Sequence, residues 1–145
     1  MKIGKKVEVI IFRENQDNEI EFLLLLTNNK RKFWQPVTGN VEDFDKNLSE
    51  AALRELKEEL DISPLWISEP IFEFEYPSSE SKFKKYGIEL FKETVYLAKV
   101  PPQTPITLSS EHQDFLWKNY NQAKDYLLYE KNKEALFKAY TILSS

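Results

Sequence analysis

The spacing of apolar and polar residues predicts that the chain opens with two β-strands joined by a hairpin. Residues 6–12 alternate and then fill with Val and Ile, and residues 21–27 form a second apolar run after the polar stretch 14–18. Both runs are typical of strands, and the short polar segment between them favours a hairpin. Two further strands are predicted at 71–76, where aromatic residues alternate with Glu, and at 88–100, which is rich in aromatic and β-branched residues.

The pattern changes to helical spacing after residue 47. Apolar side chains recur there every three or four positions, at Leu48, Ala51, Ala52, Leu56 and Leu60. This spacing predicts a helix of roughly 13 residues that ends near Asp61. Asn47 or Ser49 is expected to cap its first turn, and Pro64 bars its continuation.

Two more helices are predicted in the carboxy-terminal part of the chain, at 122–129 and 132–143, where Leu and Ala supply apolar faces. The charged segment 78–85 and the proline-rich segment 101–105 are expected to be loops. No internal repeat or linker marks a boundary. We therefore expect one domain over residues 1–145, a length that also fits the roughly 100–200 residues of a typical domain.

Composition excludes several classes of function. The 20 basic and 24 acidic residues give a net charge of −4, so any polyanionic ligand needs local cations or a metal ion. The chain has no Cys and one His, His112, which excludes disulfides, thiolate zinc sites and histidine-rich metal sites. Because no apolar run suffices for a membrane span or a signal peptide, we expect a soluble, cytoplasmic protein without a membrane partner. The net negative charge disfavours a long nucleic-acid partner. We expect a monomer or a homodimer.

The candidate chemistry is concentrated in the first predicted helix. Glu55, Glu58 and Glu59 fall on one face of it, since helix positions three and four apart are neighbours. Grouped carboxylates repel one another unless a cation lies among them, and oxygen-only ligands suit Mg²⁺ or Mn²⁺. The alternative is a solvated acidic face neutralised by Arg54 and Lys57, and the charge pattern by itself leaves this alternative open.

The segment from Gly39 to Ile62 resembles the Nudix box, G-x5-E-x7-R-E-U-x-E-E-x-G-U, where U is an aliphatic residue. The matching residues are Gly39, Arg54, Glu55, Leu56, Glu58, Glu59 and Ile62. The upstream sequence WQPVTGNVE is similar to bacterial dATP and dihydroneopterin triphosphate pyrophosphatases, and SSEHQDFLW is similar to these and to asymmetric diadenosine tetraphosphate hydrolases. The resemblance implies a Nudix-type α/β/α sandwich, with a mixed β-sheet between the box helix and the carboxy-terminal helices.

The box departs from the pattern at three points. Asp45 stands at the first Glu position, one extra residue separates it from Arg54, and Asp61 replaces the second Gly. Asp tolerates the left-handed turn that Gly eases at a helix end, although less well. Because the remaining carboxylates supply enough oxygens for Mg²⁺, we expect Asp45 to point to water and Asp45→Ala to cost less than roughly tenfold in kcat/KM.

The resemblance implies hydrolysis of a diphosphate linkage by attack of water on phosphorus. The metal ligands that it implies, for Mg²⁺ or Mn²⁺, are Gly39, Glu55, Glu58 and Glu59. The catalytic residues that it implies are Arg54, Glu58, Glu59 and Glu111. Arg54 would orient Glu58, and Glu111 would serve from outside the box as a further metal ligand or as a general base.

Candidates for substrate binding come from the basic loop 30–32 and from the many aromatic residues. Lys32 is a candidate for contacts with substrate phosphates, and Trp34 and Tyr76 are candidates for stacking on a nucleobase. A solvated basic loop and aromatic side chains in the core are the alternatives.

The leading hypothesis is a Mg²⁺-dependent enzyme that converts a dATP-like nucleoside triphosphate to the monophosphate and pyrophosphate. Asymmetric hydrolysis of a diadenosine tetraphosphate is the alternative within the family. A domain that binds a nucleotide without cleaving it is an alternative of a different class. The intact segment from Arg54 to Glu59 argues against such a sensor, and the altered loop before it argues for one.

Overall fold

The computed structural model describes residues 1–145 as one eight-stranded sheet and four helices. The strands are β1 (Lys2–Glu14), β2 (Ile20–Thr27), β3 (Trp34–Gln35), β4 (Val37–Asn40), β5 (Trp66–Ile67), β6 (Phe72–Pro77), β7 (Ile88–Lys99) and β8 (His112–Lys118). The helices are α1 (Leu48–Leu60), α2 (Glu80–Tyr86), α3 (Tyr120–Tyr126) and α4 (Glu130–Ser144). None of the four helices combines the length and the apolar character needed to cross a bilayer.

The long strands β1 and β7 run parallel at the centre of the sheet. Antiparallel partners flank them: β2 and β4 pair with β1, and β5 and β6 pair with β7. Strands β3 and β8 extend the sheet through β2. The sheet is therefore mixed, as predicted, and the predicted hairpin is formed by β1 and β2.

Alternate residues of the central strands fill two cores on opposite faces of the sheet. Val7, Val9 and Ile11 of β1 pack into one core with α1, whereas Ile10 and Phe12 pack into the other with α3 and α4. Side chains alternate between the faces of a strand, which explains how one apolar run serves both cores. The two cores give three layers, so the predicted α/β/α sandwich is confirmed.

Helix α1 begins and ends where the sequence predicts. The side chain of Asn47 accepts a hydrogen bond of 2.8 Å from the backbone N–H of Glu50 and so caps the first turn. At the other end Asp61 adopts the left-handed conformation, with φ 54° and ψ 44°, and its N–H donates to the carbonyl of Lys57. Asp therefore replaces the Gly of the box without loss of the helix-terminating turn.

The prediction of a loop over 78–85 is wrong, because α2 occupies most of this segment. The side chain of Ser79 accepts from the backbone N–H of Lys82 at its start, and Gly87 ends it with a φ of 71°. None of its residues is buried. The segment therefore lacks the apolar periodicity by which helices are detected in a sequence. Strand β8 also lies where no strand was predicted.

Candidate active site

Helix α1 carries the box carboxylates along the margin of the core. Leu56 and Leu60 of this helix are fully buried against the sheet. Glu55 and Glu59 are each only 7% exposed, whereas the side chain of Glu58 is 57% exposed. Two acids are thus held by protein on most sides, and the third faces solvent.

Gly39 of β4 provides the space that the side chain of Glu55 occupies. A Cβ at position 39 would overlap the carboxyl carbon and both carboxyl oxygens of Glu55. Burial raises the pKa of Glu55 to about 7, and the adjacent Arg54 guanidinium offsets part of that rise. Any side chain at position 39 would displace this carboxylate, so Gly39 is required here for close approach.

Arg54 donates hydrogen bonds to acids of the box and of the loop before it. Its Nη1 donates to Glu55 Oε1 at 3.0 Å and to Glu58 Oε2 at 3.1 Å. Its Nη2 donates to the backbone carbonyl of Asn40 at 2.8 Å. The guanidinium therefore orients two of the three box carboxylates and ties them to the end of β4.

The prediction that Asp45 points to water is wrong. Its Oδ1 accepts from Arg54 Nε and its Oδ2 from Arg54 Nη2, both at 2.9 Å, and its side chain is only 3% exposed. Oδ2 also accepts from the backbone N–H of Glu42 at 2.8 Å, which closes the loop. The bonds from Arg54 lower the pKa of Asp45. The longer loop thus places a shorter acid on Arg54, and Asp45 acts as a positioning residue.

Asp45→Ala is consequently expected to lower kcat/KM by roughly 10–100-fold, the usual effect of removing a residue that orients a metal ligand. Without Asp45, the guanidinium loses a two-bond partner and no longer holds Glu55 and Glu58 in place. Steady-state kinetics at saturating Mg²⁺ would measure the change. The matched control is Asp43→Ala, in the same loop and exposed. A loss below tenfold would show that Arg54 keeps its position without Asp45.

Glu59 meets a separate set of partners in the segment that leads into β8. Ser109 Oγ donates to Glu59 Oε2 at 2.8 Å, and His112 Nδ1 lies 3.2 Å from the same oxygen. The pKa of Glu59 is lowered to about 2, mainly by His112 and less by Glu111 and Ser109. The pKa of Glu111 is raised, first by the neighbouring Glu59 carboxylate and then by burial. Glu111 thus lies beside the box helix, through the backbone N–H that it donates to Ser109 Oγ, and its role as base or metal ligand stays a prediction.

Two adjoining cavities open beside these residues. The smaller, about 430 Å³, is lined by Glu111 and His112. The larger, about 610 Å³, lies between the sheet and α4 and is lined by Phe74, Tyr76, Phe91 and Tyr129 among others. Gln35 and Thr38 line both cavities, so the two spaces meet at β3 and β4.

The three predicted substrate-binding residues are not brought together. Tyr76 lines the larger cavity. Trp34 does not line it, because its ring packs edge-on against Tyr126 at 5.8 Å and belongs to the core under α3. Lys32 is exposed in the loop after β2 and lines neither cavity.

Sequence reasoning missed Ser109, Gln35 and two buried acids, Glu8 and Glu93, on β1 and β7. Ser109 and Gln35 stand inside the segments that carry the family resemblance, so their position was a usable signal. A second signal was Glu8, a charged residue inside an apolar strand. A buried acid there requires compensating partners, which points to a built site.

The residues of the box suit a hard divalent cation. No three His, Cys, Asp or Glu side chains converge as an ion-binding group, because Arg54 holds Glu55 and Glu58, and Ser109 holds Glu59. The donor set nevertheless consists of carboxylate oxygens only, and Gly39 leaves room for one of them. Mg²⁺ and Mn²⁺ prefer such ligands.

Comparisons with known proteins agree with this arrangement. A family described as NUDIX domain matches residues 4–140. The chain is 33% identical over 144 residues to dihydroneopterin triphosphate diphosphatase of Haemophilus influenzae, a match that covers 94% of this chain and 87% of that protein. It is 31% identical over 146 residues to asymmetrical bis(5'-nucleosyl)-tetraphosphatase of Sus scrofa, covering 94% and 93%. A binary complex of a C. elegans Ap4A hydrolase is similar with a TM-score of 0.78 and 25% identity, over 97% of this chain and 98% of that one. The chain therefore belongs to the NUDIX family and is an enzyme that hydrolyses diphosphate bonds in nucleotide-like substrates.

Proposed function

We propose that the protein hydrolyses a nucleoside triphosphate to the monophosphate and pyrophosphate, with Mg²⁺ or Mn²⁺. The observation that carries this proposal is the junction of the two cavities at Gln35 and Thr38. A base and sugar fit the larger, aromatic-lined cavity, and the phosphates then extend past β4 towards the box helix. This arrangement supports cleavage inside the phosphate chain, close to the nucleoside.

The residues of the box would have different roles in such a reaction. Glu55, Glu58 and Glu59 would hold the cation, and Arg54 orients the first two. When bound, the cation neutralises charge on the diphosphate and lowers the pKa of the attacking water. Phosphoryl transfer depends chiefly on such positioning and charge stabilisation.

Glu111 is the residue that we propose as general base. It lines the smaller cavity, and its backbone N–H donates to Ser109 Oγ, which in turn donates to Glu59 of the box helix. The water forms a bond to phosphorus, the bond from that phosphorus to the bridging oxygen breaks, and Glu111 takes the proton of the water. The leaving group, pyrophosphate or monophosphate according to which phosphorus is attacked, retains the electron pair of the broken bond.

Asymmetric cleavage of a dinucleoside tetraphosphate is the second candidate. It is favoured by the similarity to the Sus scrofa enzyme and to the C. elegans structure. The dATP-like base of the leading hypothesis derives from the family resemblance. The cytoplasmic location and the monomeric or homodimeric state stay predictions.

A panel of nucleotides with product identification separates these candidates. Monophosphate and pyrophosphate from a triphosphate support the proposal, whereas release of ATP and AMP from diadenosine tetraphosphate, with triphosphates left intact, supports the second candidate. Binding of nucleotides without any cleavage would indicate a sensor and would contradict both.

Hydrolysis is also expected to require a hard divalent cation, because the grouped carboxylates have one shared guanidinium as their local positive charge. Activity should vanish in EDTA and return with Mg²⁺ or Mn²⁺. Calorimetric titration should show Mg²⁺ binding to the wild-type protein in the presence of a non-hydrolysable triphosphate. Full activity in EDTA, or no detectable Mg²⁺ binding, would contradict the assignment of the box carboxylates.

A further inference from the structure

Two buried acids meet in the sheet beside the larger cavity. Glu8 of β1 is 0% exposed and Glu93 of β7 is 5% exposed. Lys6 is the register partner of Glu93 in the parallel ladder, and Glu8 follows two positions later, so both acids lie on the same face of neighbouring strands. A buried acid is unfavourable unless its polar atoms have partners. A pair of them away from the box therefore requires an explanation.

Each of the two acids accepts a hydrogen bond from a different type of side chain, an amide for Glu8 and a phenol hydroxyl for Glu93. Asn132 of α4 donates to Oε1 of Glu8, and Tyr76 donates to Oε1 of Glu93 at 3.0 Å. The second oxygen of Glu8, Oε2, is buried and has no donor directed at it. An unpartnered buried oxygen disfavours the ionised form of Glu8, because the charge would then lie on an oxygen without a donor.

The pKa values of both acids are raised, that of Glu8 more strongly. Burial raises the pKa of Glu8 well above its usual range, and the charge of Glu93 adds to the rise. Burial also raises the pKa of Glu93, but the neighbouring Glu8, the hydrogen bond from Tyr76 and the charge of Lys6 oppose that rise. Burial and its neighbours thus favour the neutral form of Glu8 more strongly than that of Glu93, which accepts the hydrogen bond from Tyr76.

Glu93 also lines the larger cavity, next to aromatic side chains. Tyr76 and Phe91, which stack on each other with ring centroids 5.7 Å apart, line the cavity together with it. Glu130 lines the cavity too, but its side chain is 84% exposed and pairs with Lys133. A planar base seated among these rings would direct its edge towards the carboxylate of Glu93.

We propose that Glu93, held in place by the hydrogen bond from Tyr76, selects a base whose edge carries a ring N–H next to an exocyclic amino group. Guanine and the pterin ring both present this edge. A carboxylate accepts both N–H groups in parallel. Adenine instead presents an acceptor nitrogen beside its amino group, which would face an oxygen lone pair. This inference rests on the proposed hydrolysis of a triphosphate and adds the class of base.

The test compares substrates that differ in this edge alone. We expect kcat/KM for dGTP to exceed that for dITP, which lacks the amino group, by roughly 10–100-fold, the usual worth of a hydrogen bond to a charged group. The difference should lie mainly in KM, because the edge is remote from the reacting phosphorus. A parallel measurement with dihydroneopterin triphosphate shows whether a nucleoside or a pterin is preferred, and dATP serves as the adenine comparison.

Glu93→Gln tests the residue itself. Gln keeps the shape of the side chain but directs an N–H₂ towards one of the two donors of the base, so the ratio of kcat/KM for dGTP to that for dITP should fall to about threefold or less. Glu89→Gln, an exposed position of the same strand that does not line the cavity, should retain the wild-type ratio. A merely structural role of Glu93 would lower both substrates equally and leave the ratio unchanged.

The outcomes separate the inference from the proposed function. Equal kcat/KM for dGTP and dITP in the wild type, a preference for dATP, or an unchanged ratio in Glu93→Gln would overturn the inference and leave triphosphate hydrolysis standing. The wild-type substrate comparison decides the matter even where the variant fails to fold. Absence of hydrolysis with every triphosphate would overturn the proposed function and the inference with it.

Discussion

Glu59→Gln is expected to lower kcat by roughly 10²-fold or more, the scale of a residue engaged in charge stabilisation or proton transfer. Its pKa of about 2 keeps the side chain ionised at neutral pH, and Gln removes that charge with little change in shape. Ser109 can still donate to the remaining carbonyl oxygen, so the fold should be retained. Turnover and circular dichroism measured on the same preparation would separate the two effects.

The control for this variant is Glu50→Gln on the first turn of the same helix, where the side chain is exposed. It makes the same chemical change without altering the group that contacts Ser109. Near-wild-type kcat in Glu59→Gln would mean that the box helix does not carry the chemistry.

Arg54→Lys is expected to lower kcat/KM by roughly 100-fold, the upper end of the usual effect of removing a residue that orients metal ligands. It is also expected to lower Tm. All three nitrogens of the guanidinium donate, to Asp45, Glu55, Glu58 and the carbonyl of Asn40. Lys retains the charge but lacks the planar fork that serves several acceptors at once. Kinetics and thermal unfolding would measure both consequences.

Lys57→Ala provides the comparison for Arg54→Lys, because it removes an ion pair with Asp61 from the same helix at positions that are 65% and 64% exposed. Exposed pairs contribute about 0–1 kcal/mol, so this variant should behave like wild type. If Arg54→Lys does too, a point charge suffices at position 54 and the fork geometry has no catalytic role.

The sequence predicts the elements with strong local signals. Helix α1 could be predicted because an Asn cap, an apolar period of three to four residues and Pro64 beyond its end all agree. Helix α2 lacks buried residues, so its caps at Ser79 and Gly87 were the sole local signal, and they lie in a polar segment that equally fits a loop.

The site is less predictable because its contacts join distant segments. The spacing places Asp45 one residue farther from Arg54 than the box pattern requires. It does not show that both carboxylate oxygens of Asp45 accept hydrogen bonds from Arg54. The meeting of Glu8 and Glu93 depends on the parallel pairing of β1 and β7, which no local pattern reveals. Trp34 was a reasonable stacking candidate, yet its place in the sheet next to α3 commits it to the core.

The central claim is that water cleaves the diphosphate linkage of a nucleoside triphosphate next to the nucleoside. Hydrolysis of dGTP in ¹⁸O-labelled water with Mg²⁺, followed by mass spectrometry of the products, tests it most directly. We predict equal amounts of monophosphate and pyrophosphate, with a single ¹⁸O atom in one of the two products and no turnover in EDTA. Release of dGDP and inorganic phosphate, or products without ¹⁸O, would contradict this cleavage.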